Sequence, residues 1–144
     1  MYNLVIGLDI SKSTVDATLV KWGIKEHFHG AFLNKKFGFK QMLKWLNSYN
    51  EEEDKILFCM EHTGHYGHKL CLFLKQQDYA FTQINPLKIK RSMGLRREKS
   101  DKADSLVIAM YGLKFQEELT IGSIVEEEFL DLLLLLAHRI QCLR

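Results

Sequence analysis

Three apolar runs at the start of the chain leave little freedom in how it can fold. Asn3 to Ile10 is short, apolar and β-branched. Thr14 to Lys21 alternates Val15, Ala17 and Leu19 against Asp16, Thr18 and Val20, and Ile24 to Leu33 makes a third run. The links between them, Ser11 to Ser13 and the turn at Lys21-Trp22-Gly23, are too short for a crossover. The three strands are therefore predicted to pair as an antiparallel meander.

The pattern then changes period. Phe37, Met42, Leu43, Trp45 and Leu46 recur with helical spacing, which predicts an amphipathic helix over residues 36–49. Glu51-Glu52-Glu53-Asp54 reads as a solvated loop. Ile56 to Met60 is a buried strand ending on Glu61, and Thr63-Gly64 breaks it. A second helix is predicted over residues 66–77, with Leu70, Phe73 and Leu74 inward. A strand from Tyr79 to Ile84 is stopped by Asn85-Pro86. The order β-β-β-α-β-α-β, followed by helices, predicts an α/β fold: a mixed sheet, three antiparallel strands and then two parallel ones, with helices packed on it. With 144 residues, 47% hydrophobic content and a single proline, the chain has room for one real core.

Charge is unevenly spread. The formal net charge is only +2, yet Pro86 to Lys102 carries seven basic residues against two acids. Glu117 to Asp131 carries six acids and no Lys or Arg. Such polarity suggests a charged working face. The basic residues suit phosphate contacts; the plainer alternative is a solvated helix with Ile89, Met93 and Leu95 inward. Cys59, Cys71 and Cys142 form no C-x-x-C pair and sit in apolar surroundings, which predicts reduced, buried thiols and a cytoplasmic setting. No signal peptide is indicated, and the six apolar residues from Leu132 to Ala137 are far too few to span a membrane.

From Ser123 to Arg144, a capping box of Ser123 and Glu126 marks a helix start. Phe129, Leu133, Leu136, Ile140 and Leu143 follow the 4-3-4-3 spacing of a coiled-coil seam. The pattern runs to Arg144 without a cap, so the chain is expected to be a piece of a longer protein.

Acids stand at three places of interest: Asp9 near the end of the first strand, Glu61 at the end of the fourth, and the pair Asp101 and Asp104. A crossover helix would lay the fourth strand parallel to the first, bringing Asp9 and Glu61 to one sheet edge, where α/β folds place their sites. A helix starting at Ser100 and entering that edge would add Asp101 and Asp104. Each acid also has a plain role: Asp9 as a turn cap, Glu61 as a solvated strand end, the pair as helix-start residues favoured by the dipole. Gathered together, four carboxylates would repel and raise one another's pKa. Mg²⁺ relieves that repulsion, and a pair of ions roughly 4 Å apart can clamp the two oxygens of a phosphodiester displacement. His62, His65 and His68 are spaced by three, but on a helix that spacing drifts around the axis and no further ligand has matching register.

Gly7-Leu8-Asp9-Ile10-Ser11-Lys12, Glu61-His62-Thr63-Gly64-His65-Tyr66, Asn85-Pro86 and Lys99-Ser100-Asp101-Lys102-Ala103-Asp104 resemble, in order and spacing, the N-terminal domain of the DEDD insertion-sequence transposases. That group includes pilin-inverting DNA invertases and bridge-RNA-guided recombinases. The resemblance implies a ribonuclease-H-like, RuvC-like domain over residues 1–115. Asp9, Glu61, Asp101 and Asp104 would hold Mg²⁺, or Mn²⁺ in its place, for strand cleavage and exchange. Residues 116–144 would be a linker and the start of a coiled-coil helix, with the serine-bearing C-terminal domain absent. Implied partners are DNA, a guide RNA in some members, and further copies of the chain through the last helix; no membrane is implied. Lys12, Lys88, Lys90, Arg91, Arg96, Arg97, Lys99 and Lys102 are the candidate nucleic-acid contacts. Two alternatives stay open. Gly7 to Lys12 also resembles the first phosphate loop of actin-like sugar kinases, although those usually place Gly where Ser11 stands. The chain would otherwise be a non-catalytic RNA- or DNA-binding and oligomerisation module.

Overall fold

The computed structural model describes residues 1–49, 55–62, 64–93, 101–122, 134–137 and 139, with the backbone alone at residues 93 and 101–103. Five strands, β1 (Leu4–Ile10), β2 (Thr14–Lys21), β3 (His27–Leu33), β4 (Ile56–Glu61) and β5 (Ala80–Ile84), form one sheet in the order β3-β2-β1-β4-β5. β1, β2 and β3 pair antiparallel, and β4 and β5 extend the sheet parallel to β1. This mixed sheet flanked by helices is compatible with a ribonuclease-H-like fold.

Helices cover both faces. Helix α1 (Lys36–Asn47) and α2 (His68–Gln76) pack on one face, where Leu4, Ile6 and Leu8 of β1 meet Phe39, Met42 and Leu70. Full burial of such a side chain contributes roughly 1.5–3 kcal/mol. Helix α3 (Pro86–Met93) and α4 (Asp101–Phe115) cover the other face, where Val5, Leu57 and Cys59 meet Ile89, Ile108 and Ala109. The alternation in β2 therefore does not divide a wet face from a dry one. Thr18 and Val20 lie under α4 and are as buried as Ala17 and Leu19.

Several boundaries differ from the sequence reading. β3 begins at His27, not Ile24, because Val20 pairs with His27 and the Ile24 amide returns to the Lys21 carbonyl in the turn. α2 begins at His68, after a turn in which the His68 amide bonds the His65 carbonyl. Asn85-Pro86 ends β5 and also starts α3: the Asn85 side chain accepts from the Leu87 amide, and Pro86 supplies a preset first helical residue. Cys59 and Cys71 are free and buried, and burial pushes both thiols up to about 12. Cys142, the acidic run 51–54 and most of the helix expected over Ser123–Arg144 lie outside the described residues. Residues 134–137 and 139 of that stretch are helical, with Leu134 and Leu135 exposed. Among the described residues no helix is long and apolar enough to cross a membrane.

Candidate active site

The parallel register of β1 on β4 runs from Leu4 opposite Ile56 to Leu8 opposite Met60. One step further along the same register, Asp9 and Glu61 are neighbours at the carboxyl ends of the two central strands. Side chains alternate along a strand. Val5, Leu57 and Cys59 face α3 and α4, so Asp9 and Glu61 fall on that face as well. Both are partly exposed, as suits residues at a sheet edge.

Helix α4 arrives at this edge by its N-terminus. Its Ser105 and Ala109 press on Gly7, and its Gly112 lies against Cys59 and Val5, toward the other end of the strands. The approach is so close that a Cβ on Gly7 would run into the Ser105 carbonyl and the Ala109 amide, and one on Gly112 into the Cys59 sulfur. Glycine at these positions is what lets helix and sheet meet. A buried hydrogen bond of 2.6 Å between the Thr18 and Ser105 hydroxyls locks the crossing. Asp104, exposed and next to Ser105, is thereby held at the carboxylate edge.

Electrostatics agree with that placement. The Glu61 carboxyl is pushed above its ordinary range, first by burial and then by the negative charge of Asp104, while Lys90 on α3 pulls it back. The three groups thus lie within electrostatic reach of one another. Lys88, Lys90 and Arg91 are exposed on α3, and Lys12 is exposed on the turn after β1. Of the other basic candidates, Arg96, Arg97 and Lys99 lie outside the described residues. The side chains of Lys102 and Asp101 do so too, although their backbone begins α4. Ile89 is buried, as the helical alternative for this segment required, while its neighbours Lys88 and Lys90 face solvent; Leu95 and the Met93 side chain lie outside the described residues. Among the described residues no three Asp, Glu, His or Cys side chains are gathered closely enough to hold an ion. That includes His62, His65 and His68, whose last two rings stand 6.2 Å apart.

Sequence reasoning missed the residues that build the edge. Asp16 is the cross-strand partner of Asp9, and its carboxylate meets His29 Nε2 at 3.1 Å. Asp9 and Asp16 flank a tight turn, so their pairing had a readable signal. Gly7 had one as well, since a glycine inside a strand marks a bulge or a close approach. Thr18 and Ser105 had none, because either alone reads as an ordinary polar residue.

A mixed five-stranded sheet with acids at the carboxyl ends of its central strands and a helix N-terminus delivering another defines a class, and the comparisons agree with it. The chain belongs to the DEDD transposases of the IS110 type, whose family model, described as a transposase, matches residues 6–144. Its relatives include the pilin gene-inverting proteins of Moraxella bovis and Moraxella lacunata. Each is 30% identical over 117 residues, covering 79% of this chain and 35% of the relative. The chain spans about a third of the length of these curated relatives.

Proposed function

We propose that the chain is the RuvC-like, metal-holding part of a DNA recombinase, with residues 1–115 as the catalytic domain and residues 116–144 as a linker leading into a coiled-coil helix. The observation that carries this is the meeting of Asp9, Glu61 and the N-terminal end of α4 at one sheet edge, with Asp104 close enough to raise the Glu61 pKa. The donor set fits a hard cation: it is all oxygen, and the charge between Glu61 and Asp104 is only partly offset by Lys90. Asp9, Glu61, Asp101 and Asp104 would hold Mg²⁺, with Mn²⁺ able to substitute. When bound, the ion polarises a phosphate oxygen and stabilises developing charge.

The chain's own residues do the rest. Lys90, with Lys88 and Arg91 on the same helix, and Lys12 on the turn after Asp9, contact the DNA backbone and hold the scissile phosphate at the edge. Arg96, Arg97, Lys99 and Lys102 extend that contact. The attacking hydroxyl belongs to a separate serine-bearing domain, and copies of the chain associate through the last helix. A guide RNA is a further proposed partner. Membership of the transposase family sets aside the sugar-kinase reading. The non-catalytic reading draws on the absence of a close group of three acids among the described residues. Calorimetric titration with Mg²⁺ separates the two. Saturable binding that is lost in Asp9→Ala/Asp104→Ala is expected, whereas equal binding by wild type and double mutant would leave the carboxylates a structural role.

A further inference from the structure

We propose that Asn34 is a positioning residue for the carboxylate edge, its side-chain amide tying the loop that follows Asp9 to the loop that follows Glu61. This rests on the reading of that edge as a Mg²⁺ site. Asn34 Nδ2 donates to the Ser11 carbonyl at 2.8 Å and to the Tyr66 carbonyl at 2.9 Å. Both acceptors are backbone oxygens, so only the nitrogen end of the amide can serve them, which fixes its orientation. The Asn34 backbone amide donates to the Ser13 carbonyl at 2.9 Å and anchors the residue to the same β1–β2 turn. Its Oδ1 is buried and finds no hydrogen-bond partner among the described residues. Leaving such an acceptor unmet opposes folding, and the two donated bonds must outweigh it.

Asn34 stands between the end of β3 and the start of α1, elements that carry none of the proposed ligands. It reaches both loops from outside the site. Ser11 is two residues past Asp9, and Tyr66 is five past Glu61. The loops also pack directly: a Cβ on Gly67 would lie 3.3 Å from Cδ1 of Ile10, the residue after Asp9. An aspartate at position 34 has no donor and would set a negative charge against two carbonyl oxygens. Alanine would simply leave both carbonyls without this donor. Either change removes this polar tie, leaving only the direct packing between the loops, and loosens the spacing of Asp9 and Glu61. Groups that orient metal ligands from outside typically change affinity by about 10–100-fold when lost.

The test is Mg²⁺ titration calorimetry on the 144-residue chain, with thermal melting in the absence of metal. Asn34→Asp and Asn34→Ala are compared with wild type, with Asp9→Ala, and with Gln116→Ala. Gln116 is a matched control, because its amide also bridges backbone groups, bonding Tyr2 N at 2.6 Å and Tyr2 O at 3.0 Å at the opposite end of β1. Both Asn34 variants are expected to bind Mg²⁺ about 10–100-fold more weakly, with Gln116→Ala near wild type. Should Asn34→Asp fail to fold, Asn34→Ala decides. Wild-type affinity in Asn34→Ala, or an equal loss in Gln116→Ala, overturns the proposal. Absence of Mg²⁺ binding by wild type instead overturns the reading beneath it.

Discussion

Thr18 and Ser105, 87 positions apart in the chain, share a hydrogen bond of 2.6 Å in which both side chains are fully buried. Thr18 sits opposite Gly7 in the β1–β2 ladder, and Ser105 follows Asp104, so this bond pins the helix that carries Asp104 over the strand that carries Asp9. Thr18→Val keeps the shape and removes the bond. It should lower stability by about 1 kcal/mol, read by urea unfolding. An unchanged midpoint would mean that the crossing is held by apolar packing alone.

Gly7→Val tests the same crossing by force. A side chain here meets the backbone of Ser105 and Ala109, and the Ala109 Cβ would stand only 2.8 Å from the added Cβ, so the helix must move. Overpacking of this kind costs about 1–3 kcal/mol. Since the displaced helix carries Asp104, Mg²⁺ affinity should fall along with the melting temperature. A variant that melts earlier but binds Mg²⁺ as wild type would detach the metal reading from the position of α4.

Glu61 makes stability depend on pH in a stated direction. Burial and then Asp104 raise its pKa above the ordinary 4.5, against the opposing pull of Lys90. An acid with a higher pKa folded than unfolded binds more protons in the native state between the two values. Metal-free stability should therefore decline as pH rises from about 4.5 through the folded pKa. Glu61→Gln removes the titrating group and should flatten that part of the profile, measured by unfolding in the presence of a chelator. A slope equal to wild type would assign the pH dependence to other groups.

The basic side chains on α3 should act on affinity without choosing sequence. Lys88→Ala and Arg91→Ala are each expected to weaken DNA binding similarly for unrelated duplexes and to reduce the salt slope by roughly 1. Fluorescence anisotropy across a salt series measures both. Unchanged slopes would turn these residues into an ordinary solvated helix face.

The meander and the parallel addition of β4 were legible because link lengths and apolar periodicity decide them locally. From those two facts the neighbouring placement of Asp9 and Glu61 followed. The depth at which α4 seats was not legible. It depends on Gly7, Gly112 and the Thr18–Ser105 bond acting together across the whole chain. The start of β3 was also missed, since Ile24 is apolar enough to read as strand yet lies 48% exposed in the hairpin loop. Asn34 carries no local mark at all, because its role exists only once three loops have been brought to one edge.

The most direct measurement is the anomalous difference map of crystals grown with Mn²⁺. A manganese peak bounded by Asp9, Glu61 and Asp104, with Asp101 completing its oxygen shell, is the result this account requires. Manganese bound only elsewhere, for instance at His65 and His68, with the carboxylate edge holding none, would contradict it.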